Sequence, residues 1–307
     1  MNLREWALPL YTILMQLAVG TLLVLWILRF LNLKQVGEST MDRILRRPVM
    51  VMFFTILAAI IGSHLHLSNP LLSFLAVLNV KNSWLSREIV FTVLTFLSCA
   101  ALVDLLGNPQ AGRQGLKTAL GWTMVFLGFT SIYCMGSIYK LPTQAPWNHW
   151  STILQFYGSS LLLGVTAAAA LLVMDTIFSQ EHEPDLAEIR QQLMGRSLGL
   201  FAGLASFALI LIIGLNTLQI LDTGRGEELA QTSLSLLTGL YRPLLTVRVA
   251  TLGVAVGIFI LVVVRLSRKG YELPRLVIPV YLACFLALVA EILGRFLFYA
   301  SHVRLGL

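Results

Sequence analysis

Eight long apolar runs constrain this chain more than any other feature of its sequence. They cover residues 9–30, 47–67, 88–107, 116–139, 153–177, 196–219, 245–266 and 276–300. A helix that crosses the hydrocarbon core of a bilayer needs about 20 mostly apolar residues, and in lipid a helix satisfies its own backbone hydrogen bonds. The sequence therefore predicts an all-α integral membrane protein, a bundle of eight transmembrane helices that forms a single domain over residues 1–307.

The composition excludes several other classes of protein. Hydrophobic residues make up 57% of the chain and charged residues 12%, with a mean hydropathy of +0.81. Soluble domains average about 45–50% apolar residues and about 25% charged residues. The composition therefore excludes a soluble domain, a disordered tail and a nucleic-acid binder. The three cysteines lie inside apolar runs without a CxxC pair, which argues against a disulfide framework and against an iron–sulfur cluster in this chain.

The distribution of basic residues predicts the orientation. Thirteen of the 22 Lys and Arg residues lie in or beside the odd-numbered connections, whereas eight lie in the even-numbered connections or near the termini. Because Lys and Arg are enriched on the cytoplasmic side, we expect both termini on the periplasmic side. No connection between runs exceeds about 30 residues, which leaves no room for a soluble catalytic domain.

Ionisable residues at the outer end of the predicted bundle are candidates for a binding site. Such a group costs at least about 2.5–3.5 kcal/mol at membrane depth. The candidates are His64, His66, Arg87, Glu88, Glu291, Arg295 and His302. A neutral histidine beside a carboxylate and an arginine suits proton-coupled chemistry on a small apolar molecule such as a quinol. We therefore predict a quinol-binding pocket between the second, third and eighth runs.

Spacing limits how these side chains are arranged. Glu291 and Arg295 are four residues apart and share a helix face, so they can form an ion pair that either fixes helix packing or lines the pocket. His64 and His66 point about 200° apart on a helix, so at most one of them faces a given pocket.

Two connections carry local signals. Asn69 and Pro70 predict the cap and first residue of a short interfacial helix over residues 71–78. The acidic, charged stretch 181–190 predicts a solvated loop, and Pro48, at the edge of the second run, predicts a helix boundary.

The fourth connection is rich in aromatic residues, including Tyr139, Trp147 and Trp150. Because Tyr and Trp are enriched at membrane interfaces, an aromatic belt is one interpretation. The alternative is a surface that docks a partner protein, or a lid over the pocket.

Three segments point to a family. Residues 66–70 read HLSNP and residues 85–89 read LSREI, while residues 290–299 read AEILGRFLFY. They resemble the H-L-G-S-P, L-S-x-E-I and G-E-x-x-G-R-x-x-F-Y segments of the anaerobic dimethyl sulfoxide reductase membrane anchor, the DmsC family. The likeness follows the same order through the whole chain, with eight spans as in that family.

The resemblance implies a subunit that oxidises menaquinol but is not catalytic for the terminal substrate. Such anchors carry no haem, hold an iron–sulfur subunit and a molybdopterin catalytic subunit on the bacterial cytoplasmic (inner) membrane, and pass electrons to the former. It also implies that His66 accepts a quinol proton and that Glu88 orients the imidazole or relays the proton. His64 is an additional histidine, so the choice between His64 and His66 stays open.

Two other functions fit parts of the sequence. A b-type haem anchor uses facing histidines, and His66 with His302 supplies one such pair. A small-molecule transporter would place Glu291 and Arg295 on a substrate path. We predict no metal site within this chain.

Overall fold

The computed structural model describes residues 3–64, 70–108, 113–144, 146–225, 228–269 and 274–301. Within these ranges, the side chains of residues 3–6, 70–74, 180–181, 228–229, 265–269 and 274–275 are left undescribed.

Over these residues all regular secondary structure is helical, with no strand. The helices are α1 (Leu3–Val36), α2 (Glu38–His64), a 3-10 helix (Pro70–Asn79), α3 (Trp84–Gly107), α4 (Gln114–Ile138), α5 (Ser151–His182), α6 (Pro184–Gly224), α7 (Glu228–Thr238), α8 (Arg242–Lys269) and α9 (Pro274–Ala300). All of the α-helices except α7 are long and apolar enough to cross a membrane. The prediction of eight apolar spans is therefore confirmed.

The start of the second span differs from the prediction. The second span begins at Glu38 and contains Pro48, so this proline does not mark a boundary. A proline inside a membrane helix is tolerated because neighbouring groups compensate for the backbone bond that it removes. The predicted short helix is present as the 3-10 helix Pro70–Asn79, while Asn69 lies outside the described residues.

The predicted solvated loop at 181–190 is wrong. Helix α5 continues to His182 and α6 starts at Pro184, so Glu183 alone separates them. Pro184 suits the first position of a helix because its missing N–H would have no partner there. Glu183 and the buried Arg190 form an ion pair at this junction, and Asp185, although exposed, pairs with Arg43.

Helices α1 and α5 form the centre of the bundle. Helix α1 packs against α2, α4 and α5, and α5 also packs against α6 and α9. They cross closely at Gly20 and Gly164, where a Cβ on either glycine would overlap the backbone of the other helix. Small residues at such crossings let helix backbones approach within a membrane, and this crossing fixes α5 at the middle of the fold.

The two ends of the bundle differ. We call the end at which α1, α3, α5 and α8 begin the cavity end, and the opposite end the ion-pair end, after what each contains. The short helix α7 lies in the connection between α6 and α8, so it belongs to the cavity end.

Candidate functional site

The buried charges at the ion-pair end are matched by opposite charges. The Asp42 carboxylate accepts a hydrogen bond from Arg29 at 2.6 Å and from Lys117 at 2.5 Å. Asp175 lies 2.9 Å from the Nε of Arg190. All five side chains are buried. Breaking such a pair is strongly destabilising, so this end is built for structure.

Glu183 extends this network at the junction of α5 and α6. Its carboxylate lies 2.9 Å from Arg190, 3.0 Å from Arg47 and 4.0 Å from Arg43. Burial acts to raise the pKa of Glu183, but the hydrogen bond and charge of Arg190, with the charges of Arg47 and Arg43, outweigh it and lower the pKa below its usual value. Glu183 therefore stays ionised as the link between two helices.

A cavity opens at the other end, among α5, α6, α7, α8, α9 and the turn at Pro146 and Trp147. It encloses about 860 Å³ of empty space, part of which is open to the surroundings. Small-molecule sites typically measure about 300–1,000 Å³ and combine an apolar wall with a few placed polar groups. Here Trp147, Phe156 and Phe298 supply aromatic surface, and Glu291, Arg295, Arg248, Gln155, Gln219, Asn216 and Ser233 supply polar groups.

Glu291 and Arg295 line this cavity, but they do not form the direct ion pair that their spacing allows. The Ser159 hydroxyl donates to Glu291 Oε2 at 2.6 Å. Arg295 donates to Gln16 Oε1 at 2.7 Å and stacks over the ring of Phe156 at 3.7 Å. Both charges are therefore fixed by α1 and α5 instead of by each other.

Three buried polar atoms at the cavity have no hydrogen-bond partner among the described residues. They are Glu291 Oε1, Arg248 Nε and Ser233 Oγ. Their residues come from α9, α8 and α7, and each is at least nine-tenths buried. Six further buried atoms of the described residues lack a hydrogen-bond partner, but five of them belong to ion-paired side chains at the opposite end, those of Arg29, Glu38, Asp175 and Arg190. Buried polar groups in folded proteins are normally satisfied, and the three atoms at the cavity have space beside them for a ligand or ordered water.

Gly294 makes room for Arg248. A Cβ at this position would lie 2.6 Å from Arg248 Nε, so the guanidinium rests directly on the backbone of α9. The prediction did not include Arg248 or Ser233. The position of Arg248 inside the seventh apolar run, residues 245–266, was nevertheless a signal that it is buried.

An aromatic cluster closes one wall. Trp147 stacks on Phe298 with ring centroids 5.0 Å apart, and its indole N–H donates to the Phe298 carbonyl at 2.8 Å. The hydroxyl groups of Tyr139 and Tyr299 are hydrogen-bonded to each other. Among the three residues predicted to dock a partner, Trp150 is 52% exposed, whereas Trp147 is 9% exposed and covers the cavity.

Tyr139 remains protonated in this cluster. Burial, followed by the charge and hydrogen bond of Tyr299, raises the pKa of Tyr139 well above its usual value, and the charge of Glu88 acts in the same direction. A neutral hydroxyl that stays protonated can donate one hydrogen bond and accept another. Tyr139 therefore lies within electrostatic reach of both Glu88 and Arg295.

Glu88 lies in a separate polar cluster at the same end. Its buried carboxyl faces the Tyr11 hydroxyl. That hydroxyl is 2.9 Å from Thr92 Oγ1, which is 2.7 Å from Ser131 Oγ. These contacts join α3 to α1 and α4, and Glu88 is not part of the cavity wall.

Arg87 points away from Glu88. Its guanidinium donates to the carbonyls of Val80 and Lys81 at 2.9 Å and 2.7 Å and stacks over Trp84. It therefore holds the segment that precedes α3.

The histidines are divided between described and undescribed residues. His64 is half-buried at the end of α2, where its Nδ1 lies 2.7 Å from the Ile60 carbonyl. His66 and His302 fall outside the described residues. Within the described ranges, no group of three or more His, Cys, Asp and Glu side chains is arranged to hold a metal ion.

Comparison with known proteins gives the family. The model of the DMSO reductase anchor subunit (DmsC) matches residues 1–301. The protein is 28% identical over 311 residues to the anaerobic dimethyl sulfoxide reductase protein YnfH of Escherichia coli (strain K12), an alignment that covers 99% of the present sequence and 97% of that protein. It is 27% identical over 318 residues to an anaerobic dimethyl sulfoxide reductase protein of Haemophilus influenzae, and this alignment covers 100% of the present sequence and 99% of that protein. No solved structure matches it. With its eight apolar spans and the motifs noted above, this protein belongs to the DMSO reductase anchor subunit (DmsC) family.

Proposed function

We propose that this protein binds menaquinol at the cavity end, oxidises it and passes the electrons to an iron–sulfur subunit. That subunit would hand them to a molybdopterin catalytic subunit. The observation that carries the proposal is the cavity wall with its three unpaired polar atoms, Glu291 Oε1, Arg248 Nε and Ser233 Oγ. A quinol has two hydroxyl groups on a flat apolar ring, so it needs polar partners beside an aromatic surface.

The charges of the cavity suit the first step of the oxidation. A quinol must lose a proton before its electrons leave easily, and Glu291 Oε1 is free to accept one. Arg248 and Arg295 then face the negative charge that develops on the quinol oxygen. Preorganised positive groups in a site of low dielectric stabilise such charge strongly. Each quinol releases two protons and two electrons, and the electrons leave one at a time to the partner.

His66 and Glu88 remain part of the proposal through the resemblance to the family. His66 accepts a proton from the quinol, and Glu88 orients the imidazole or passes the proton on. Glu88 is buried at the cavity end, and its charge and that of Arg295 both act on Tyr139, which is hydrogen-bonded to Tyr299. His64, Arg87 and His302 stay as proposed contributors to the rim of the site.

The orientation is proposed from the basic residues. The ion-pair end carries most of the Lys and Arg residues, so it would face the cytoplasm of a bacterial inner membrane. The cavity end and both termini would then face the periplasm. The exposed Trp150 would contact the iron–sulfur subunit there.

The test measures binding of a tight quinol-analogue inhibitor by fluorescence quenching in membranes that carry the assembled complex. We compare wild type with Glu291→Gln and His66→Ala. Glu188→Gln is the matched control, because it removes an exposed carboxylate from α6 at the ion-pair end. We expect stoichiometric binding in wild type and control.

The two variants separate the proposed residues. Binding weakened by Glu291→Gln places the quinol in the cavity, and binding weakened by His66→Ala alone places it outside. Stoichiometric binding that neither variant changes would refute both assignments. Absence of binding in wild type would refute quinol binding itself, and haem absorbance in the purified protein would favour the b-type anchor.

A further inference from the structure

Three arginines share one face of α2 at the ion-pair end. Arg43, Arg46 and Arg47 follow the i, i+3, i+4 spacing that brings side chains together on a helix. With Met50 and Glu183 they line a groove of about 560 Å³, open to the surroundings. This groove is remote from the quinol cavity and has no part in the proposed oxidation.

The charges of this groove are not balanced. Arg43 is 3.0 Å from Asp185, while Arg47 is 3.1 Å from Asp175 and 3.0 Å from Glu183. Asp175 and Glu183 also pair with Arg190. The three carboxylates Asp175, Glu183 and Asp185 therefore already have arginine partners, and none of them pairs with Arg46.

Arg46 is the exception on this face. It is exposed and has no ion-pair or hydrogen-bond partner among the residues that the structure describes. Its guanidinium rests on α3, because a Cβ at Gly107 would lie 3.3 Å from Arg46 Nε. A guanidinium held in place with its donors free can bind a phosphate with two parallel hydrogen bonds.

An apolar stripe continues the same face deeper along α2. Met50, Phe54 and Ile61 follow Arg46 at intervals of four, four and seven residues, and they are 38%, 57% and 57% exposed. At about 1.5 Å per residue, Met50 and Ile61 are about 16 Å apart. This length matches one leaflet of a hydrocarbon core that is about 30 Å thick. The polar and apolar parts are therefore arranged as they are in a phospholipid.

We propose that this groove binds one anionic phospholipid. Its phosphate contacts Arg46, with Arg43 beside it, and an acyl tail lies along Met50, Phe54 and Ile61. A free phosphate offers the same polar chemistry, but it would leave the apolar stripe without a role. Basic pockets between membrane helices are suited to lipid headgroups of this kind.

The test uses the purified full-length protein in detergent, stripped of lipid and titrated with dioleoyl phosphatidylglycerol in native mass spectrometry. Phosphatidylcholine is the neutral comparison. We compare wild type with Arg46→Gln and Arg46→Lys. Lys34→Gln is the matched control, because Lys34 is an exposed cation at the same end that does not line the groove.

We expect one phosphatidylglycerol to bind tightly in wild type and in the control. Arg46→Gln should raise its dissociation constant about tenfold, which is about 1.4 kcal/mol, and Arg46→Lys should lie between the two. Equal binding of phosphatidylcholine, or unchanged binding in Arg46→Gln, would overturn the proposal. Full displacement by millimolar inorganic phosphate would assign the groove to a free anion and would overturn it as well.

Discussion

Asp42 holds two buried cations at the ion-pair end, and Asp42→Asn tests whether that cluster stabilises the fold. The carboxylate contacts Arg29 at 2.6 Å and Lys117 at 2.5 Å. Lys117 has a second, longer contact to Glu38 at 3.5 Å. The four side chains carry two positive and two negative charges, so the cluster is neutral until Asp42 is replaced.

The expected loss follows from the burial of the pair. Removing one partner of a buried ion pair costs about 3–5 kcal/mol, because it leaves an uncompensated charge. Asparagine keeps the volume but leaves Arg29 without its only carboxylate partner in the described part of the chain. We therefore expect Asp42→Asn to lower the free energy of unfolding by about 3–5 kcal/mol.

The assay is reversible unfolding in mixed micelles of dodecyl maltoside and sodium dodecyl sulfate, followed by circular dichroism. Asp185→Asn is the matched control, because Asp185 also pairs with an arginine but both side chains are about half exposed. An exposed pair contributes about 0–1 kcal/mol. The double variant Asp42→Asn/Arg29→Met removes both charges, so it should be more stable than Asp42→Asn alone.

Two results would contradict this reasoning. If Asp42→Asn and the Asp185→Asn control lost equal stability, burial would not set the strength of these pairs. If the double variant were less stable than Asp42→Asn, the loss would not come from an unpaired cation.

The remaining predictions concern three other positions. Gly294→Ala should push the Arg248 guanidinium away and weaken binding of the quinol analogue about tenfold, which is about 1.4 kcal/mol. The free energy of unfolding should change by less than about 1 kcal/mol, because the end of a long side chain can move to another rotamer. Gly20→Ala should lower the free energy of unfolding by at least about 1–3 kcal/mol, because the added Cβ would overlap the rigid backbone at Ser160. Unfolding in mixed micelles measures this loss, and an unchanged unfolding midpoint would contradict the close packing at Gly20. Because the pKa of Glu183 is lowered in the folded protein, this carboxylate stabilises the fold at any pH above its usual pKa of 4.5. That stabilisation is lost as the pH falls below 4.5 and through the lowered pKa. The stability difference between wild type and Glu183→Gln should therefore shrink on acidification, and a constant difference would refute the ion-pair role.

The spans could be predicted because length and hydropathy alone decide them. Their ends could not, because polar residues continue a helix when partners are present. Residues 181–190 look like a solvated loop by composition, yet Arg190 and Glu183 are neutralised by groups on α2 and α5. Arg47 lies 136 residues from Glu183 in the sequence, so no local pattern reveals this ion pair.

The cavity is lined by α5, α6, α7, α8 and α9, whereas the pocket was predicted between the second, third and eighth spans. Glu291 and Arg295 were identified because charges stand out in an apolar run, but their spacing suggested an ion pair with each other. Their actual partners, Ser159 and Gln16, are 132 and 279 residues away. Ser233 carries no signal of its own, since only the placement of α7 brings it to the cavity.

Buried charges alone do not identify a functional site in this protein, because both ends of the bundle contain them. At the ion-pair end, each buried charged side chain has an opposite charge within hydrogen-bonding distance. At the cavity end, Glu88, Arg248, Glu291 and Arg295 are buried without an ion pair to any described residue. Unpaired charges in a membrane protein are costly, and stability cannot explain why they are kept. A polar ligand in the cavity can complete the contacts of Glu291 and Arg248, whose Oε1 and Nε atoms have no hydrogen-bond partner among the described residues. The quinol site is therefore proposed at this end and not at the other.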